Sequence, residues 1–167
     1  MLTVDAMSSR EMKTICLVQP GSEDDWRQAR RLIEQYAASL DVDLSFQNFA
    51  HELQHLEEEY APPAGAFLLA EDSGIYFGCV GLRHFAEGVG EIKRLYATPA
   101  ARGRRVGRLL AEGIVDIARR AGYGRLLLDT LPSMKEARAL YASMGFKPTA
   151  AYRFNPVPGT AFLELTL

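Results

Sequence analysis

The sequence predicts an α/β (α+β) layered fold, a mixed central sheet with helices interleaved between its strands, on three observations. Apolar spacing along the chain switches repeatedly between the strand and helix periods. The stretch from Glu91 to Leu128 reads strand–helix–strand, the order of a parallel crossover. Within it, Leu126-Leu127-Leu128 is continuously apolar, as expected of a strand covered on both faces.

Each element has a local reason. A short strand is expected at 14–18, ended by Pro20-Gly21. Ser22 with Asp25 three residues on is a capping-box start. Behind it Trp26, Ala29, Ile33, Ala37 and Leu40 recur at helical spacing. A second helix is expected from the stripe Phe46, Phe49, Leu53, Leu56 and Tyr60, stopped by Pro62-Pro63. Residues 66–70 and 75–83 read as a hairpin turning at Asp72-Ser73-Gly74, and 91–98 as a strand ended by Pro99. The next helix carries Val106, Leu109, Leu110, Ile114, Ile117 and Ala118 on one face. It closes at Arg119, Arg120 and Gly122, which suits a helix C-terminus. Ser133 with Glu136 predicts a second capping box, opening a helix with Ala137, Leu140, Tyr141 and Met144 on its stripe and ending at Gly145. Residues 152–154 and 161–167 read as two closing strands around a Pro-Gly loop, 155–159.

At 167 residues with 48% hydrophobic and 24% charged residues, the chain reads as a single globular domain, 1–167. No linker, repeat or low-complexity tract divides it. No apolar run reaches the ~18 residues of a membrane span. The first seventeen residues mix Asp5, Arg10, Glu11 and Lys13 among apolar ones, unlike a secretory signal. Cys16 and Cys79 fall in strand contexts and are expected to be reduced, buried thiols. The expected location is therefore cytoplasmic.

A net charge of −2 says little, but its distribution says more. Residues 23–59 hold ten acidic and three basic side chains, whereas 93–125 hold nine basic and two acidic ones. Arg102, Arg104, Arg105 and Arg108 crowd into seven residues with Gly103 and Gly107. This stretch, Arg102-Gly103-Arg104-Arg105-Val106-Gly107-Arg108, lies between a strand and the first turn of a helix. Free N–H groups and a positive dipole end there suit a phosphate. Glycines permit close approach, and arginines add charge. It is neither a Walker loop nor Gly-x-Gly-x-x-Gly. An acidic chain without interleaved aromatics argues against nucleic acid as the partner.

With these residues in place the sequence resembles the GNAT family of acyl-CoA-dependent N-acetyltransferases, most specifically over 91–167. The family pattern Arg/Gln-x-x-Gly-x-Gly/Ala is met by Arg102 and Gly107 but not at its middle glycine, which is Arg105. A second element, Ala-x-x-Leu-Tyr-x-x-x-Gly-Phe, is complete as Ala137, Leu140, Tyr141, Gly145 and Phe146. The asparagine often found three residues before that alanine is Met134 here. The resemblance implies a GNAT-like central sheet of about six to seven strands with helices on both faces. It implies that Leu95, Tyr96 and Ala97 offer backbone groups to the pantetheine arm. A backbone N–H of that strand would polarise the thioester carbonyl. Arg102, Gly103, Arg104, Arg105, Val106, Gly107 and Arg108 would then hold the pyrophosphate. Tyr141 occupies the position of the general acid and Glu91 that of a general base in some members.

The remaining singled-out residues have plainer readings. His51-Glu52-Leu53-Gln54-His55 matches the zinc-peptidase motif His-Glu-x-x-His. At ~100° per residue, however, both histidines fall roughly 130–180° from the apolar stripe, on the solvent side. No metal is expected. Trp26 reads as a core anchor and His84 as a turn residue. Phe46 and Gln47 lie where such enzymes commonly build the acceptor pocket, and loop 155–159 is a lid by the same analogy. The expected activity is acetyl transfer from acetyl-CoA to a primary amine of a small molecule or peptide, by direct attack in a ternary complex. The alternatives are a non-catalytic acyl-CoA-binding module and, remotely, a zinc peptidase. The acceptor's identity and a homodimer are left open.

Overall fold

Residues 14–167 are described by a computed structural model. Its strands are β1 (Cys16–Val18), β2 (Ala66–Asp72), β3 (Ile75–Ala86), β4 (Val89–Ala97), β5 (Arg125–Thr130), β6 (Lys147–Pro148) and β7 (Ala161–Thr166). They form one seven-stranded sheet in the order β1-β2-β3-β4-β5-β7-β6. Only β4 and β5 pair in parallel, so the crossover runs through the helix between them. The helices are α1 (Glu23–Ser39), α2 (Phe49–Gln54), α3 (Leu56–Glu59), α4 (Val106–Arg120) and α5 (Lys135–Ser143).

Alternation along β2 sets the layers. Ala66, Leu68 and Ala70 meet Val106, Leu110 and Ile114 of α4 on one face. Phe67 and Leu69 meet Ala29, Leu32 and Ile33 of α1, with Leu56 and Tyr60, on the other. Helices therefore cover both faces of the sheet. The α1 start is the expected capping box: Ser22 Oγ accepts from the Asp25 N–H at 3.1 Å, and Asp25 accepts from the Ser22 N–H at 3.0 Å. Hydrogen bonds from Gly21 and Ser22 hold the Asp25 carboxyl below its usual range.

Four expectations need correction. The second helix is three pieces: a 3₁₀ turn at Ser45–Gln47, then α2 and α3, broken at His55. Its apolar stripe runs through the break, so periodicity alone did not register the kink. No strand forms at 152–154. The short strand pairing with β7 is β6, while the Tyr152 ring packs edge-on against Phe85 and Phe162. Helix α5 lacks the capping box expected at Ser133 and Glu136, since its N-cap is Met134, with no side-chain cap. Cys16 is exposed rather than buried, because β1 is an edge strand; Cys79 is buried as expected. Among the described residues no helix is long and apolar enough to cross a membrane.

Candidate active site

The parallel pairing of β4 with β5 is short. It runs from Val89↔Arg125 to Glu91↔Leu127 and stops. Beyond it β4 continues to Ala97 and β5 to Thr130, so two strands that should be laddered diverge. A bulge follows in β4 just past the last pair. Against β3, Tyr96 pairs with Cys79 and Lys93 with Gly81, which puts one extra residue into β4. Arg94 takes that irregularity with φ +61, the left-handed region, in mid-strand.

The bulge reverses the side-chain alternation. Ile92 and Leu95 face the α4 side, whereas Tyr96 packs with the α1 side. Lys93 and Arg94, although consecutive, consequently point the same way. Lys93 Nζ and Arg94 Nη1 donate to the same oxygen, Gln47 Oε1, at 3.1 and 2.9 Å. Burial lowers the Lys93 pKa to about 8.

The gap between the strands is a narrow cavity of about 40 Å³. Its walls include Lys93, Arg94 and Leu95 from β4, Asp129 and Thr130 from β5, and Tyr141 from α5. Tyr36 of α1 closes it, its hydroxyl pKa pushed up to about 12 by burial. Tyr141 is buried with its ring edge-on to Phe146 at 5.3 Å. Burial pushes its pKa well above the usual phenol range, so it stays protonated. On one side a second cavity joins Phe46, Gln47, Asp129 and Asn155, bringing the expected acceptor residues beside the 155–159 loop. Asn155 Nδ2 donates to Asp129 Oδ2 at 3.1 Å. On the other side a groove of about 470 Å³ runs along Leu95, Tyr96 and Ala97, walled by residues 133–137 of α5 and its entry.

The arginine loop precedes α4. Arg105 is its N-cap with φ +56, and no side chain caps the helix. The N–H groups of the first turn are therefore open to a ligand. Gly103 also has positive φ, with open space where a side chain would be. Arg102 and Arg105 are exposed. Arg104 pairs with Asp72 at 3.1 Å and lies over the Phe77 ring. Arg108 bonds Glu112 and Ser143. A loop that keeps cations at an uncapped helix start suits a diphosphate.

Glu91 is placed differently from its expected role. It is completely buried, ion-paired with Arg83 at 3.3 Å, Lys93 at 3.9 Å and Arg153, and it does not line the cavity. The cavity's own carboxylate is Asp129, which the sequence reading passed over because it ends an apolar run. Arg94, Lys93 and Tyr36 were missed as well. An unbroken strand would have separated Lys93 and Arg94 onto opposite faces, and nothing local marks the bulge. His51, exposed, and His55, half-buried, stack on each other at 4.1 Å. His51 pairs with Glu59, and His55 Nδ1 lies 2.9 Å from the His51 carbonyl. Among the described residues no group of three or more His, Cys, Asp or Glu could hold a metal. Cys79 donates its thiol to the Arg94 carbonyl, with burial raising its pKa. That makes it a structural donor and not a nucleophile.

Comparison with known proteins bears on this geometry. The Acetyltransferase (GNAT) family model matches residues 26–146. The chain belongs to that family. An uncharacterized N-acetyltransferase of Schizosaccharomyces pombe is 37% identical over 150 residues, covering 89% of this chain and 90% of the relative. Among solved structures, an acetyltransferase of Streptococcus agalactiae superposes with a TM-score of 0.75 at 22% identity, covering 92% and 98% of the two chains. A Salmonella typhimurium acetyltransferase solved with its cofactor acetyl-CoA gives 0.69 at 19% identity, covering 92% and 94%. GNAT membership makes the chain an acyltransferase, and these likenesses match its seven-stranded mixed sheet.

Proposed function

We propose that this GNAT protein, acting as one domain over 1–167, transfers the acetyl group of acetyl-CoA to a primary amine of a small molecule or peptide. The transfer is direct, within a ternary complex. The observation that carries the reading is the divergence of β4 from β5 with Tyr141 buried in the gap. Bound there, acetyl-CoA supplies an activated thioester.

The chain's own groups divide the work. Arg102, Gly103, Arg104, Arg105, Val106, Gly107 and Arg108 hold the diphosphate at the start of α4. The backbone of Leu95, Tyr96 and Ala97 lies along the groove that the pantetheine arm follows. An N–H after the bulge, freed from strand pairing with β5, faces the carbonyl oxygen. Tyr141 donates a proton to the departing sulfur. Asp129 contacts the incoming amine and takes its proton, directly or through water. Glu91 acts behind the cavity as the counter-charge of Lys93 rather than as the base. Phe46 and Gln47 border the acceptor.

Calorimetric titration with acetyl-CoA, followed by an amine panel read by free-thiol release, tests the reading. Saturable binding with thiol release on at least one amine is expected, and Arg102→Ala should weaken binding roughly tenfold by losing a phosphate contact. Absence of binding overturns the coenzyme site. Binding without thiol release across the panel overturns the transfer.

A further inference from the structure

Within the His51–His55 pentad the histidines stack outward, but Glu52 turns inward and is 2% exposed. Both its oxygens are occupied by Arg94: Nε reaches Oε1 and Oε2 at 3.1 and 3.2 Å, and Nη2 reaches Oε2 at 2.6 Å. The Tyr60 hydroxyl donates to Oε1 as well. Arg94 is itself buried, with the rings of Phe49 and Tyr36 at 5.1 and 6.0 Å and Gln47 on its free nitrogen. Its carbonyl receives the Cys79 thiol at 3.4 Å.

These contacts converge on the one residue of β4 with left-handed backbone. A non-glycine residue holds that conformation mid-strand only when its surroundings over-determine it. Stability alone does not call for such a pair, because apolar residues of like volume often serve a core equally well. A bidentate, planar contact does fix direction.

We propose that Glu52 is a positioning residue: by clamping Arg94 it holds the β4 bulge, and the bulge aims the Leu95 N–H into the cavity where the acyl group is received. Resting on the acetyl-transfer reading above, the inference gives the His-Glu-x-x-His pentad a role without metal.

The test uses ¹⁵N amide spectra of the full chain, titrated with CoA and with acetyl-CoA, beside steady-state kinetics. In the wild type the Leu95 amide should move further with acetyl-CoA than with CoA. Glu52→Gln should stay folded and keep CoA affinity within about threefold, yet lose that difference and drop kcat roughly tenfold or more with KM for acetyl-CoA little changed. Retention of both the shift difference and kcat overturns the clamp. Tyr60→Phe keeps the ring and removes one donor to Glu52, so it should show a smaller loss of the same kind. Should Glu52→Gln fail to fold, an unchanged Leu95 signal and kcat in Tyr60→Phe overturns the clamp. If the wild type shows neither the shift difference nor transfer, the acetyl-transfer reading falls. The clamp is then judged on the ligand-free Leu95 amide, which it requires to move in Glu52→Gln and which overturns it if unmoved.

Discussion

Replacing Arg105 by glycine should stabilise the ligand-free protein, and replacing it by alanine should not. Arg105 stands where the family pattern has glycine, and its φ of +56 is in the region that a side chain disfavours. A non-glycine residue there gives up about 1–2 kcal/mol. Glycine removes that cost but loosens the unfolded chain, which offsets about 0.5–1 kcal/mol. The Arg105 side chain is exposed, so its removal forfeits little packing. The net gain for Arg105→Gly is about 0.5–1 kcal/mol, a rise in Tm of roughly 1–4 °C for a chain of this length. Arg105→Ala keeps the Cβ and with it the strain. The stability order Gly above Ala is the reverse of that inside a helix, where alanine leads by about 1 kcal/mol. Scanning calorimetry of the three proteins without coenzyme decides the matter. If the alanine variant melts at or above the glycine variant, Arg105 carries no backbone strain and the reasoning fails.

Other outcomes follow from the same geometry. Tyr141→Phe keeps the packing against Phe146 and removes only the hydroxyl; if that hydroxyl protonates the leaving sulfur as proposed, turnover should fall roughly 100-fold, near the lower end for general acids, while calorimetry finds acetyl-CoA affinity within about threefold. Lys93, with its pKa lowered to about 8 by burial, binds fewer protons folded than unfolded between pH ~8 and ~10.4. Its burial cost is therefore fully present below pH 8 and relieved as pH rises through that window. Urea midpoints of wild type minus Lys93→Met should climb across it, and a flat difference would refute the lowered pKa. A Cβ on Gly81 would run into Cε1 of the fully buried Tyr60, so Gly81→Ala should cost about 1–3 kcal/mol, a Tm loss of roughly 2–12 °C by thermal melting.

What the sequence made legible was short-range. The Ser22–Asp25 box closes over three residues, the α4 face repeats within fifteen, and Tyr141 follows from its place on the α5 stripe and a family motif. What it hid was long-range or against local preference. The Glu52–Arg94 pair spans 42 residues, and no composition signal joins its members. The Ser133–Glu136 pattern has the spacing of a cap, but the turn closed by Met134 N–H to the Leu131 carbonyl enters the helix one residue later, at Met134. The 152–154 alternation is genuine, but Arg153 is drawn to Glu91 and the Tyr152 ring to Phe85, which holds the segment off the sheet edge.

The bulge and the strand divergence are best understood as one event. Parallel β4 and β5 pair only while both keep the two-residue repeat, and the pairing ends at Glu91, three residues before Arg94. An extra residue in β4 can be absorbed on the β3 side, where antiparallel pairing resumes at Tyr96. On the β5 side no pairing resumes, and Tyr141, Asp129 and Thr130 line the space instead. Past Glu91 the backbone of β4 has no β5 partner, and the same stretch turns Lys93 and Arg94 to one face. A variant that restored regular alternation at Arg94 would close the cavity and reunite the strands, and so would remove at once the space and the N–H that the proposed transfer requires.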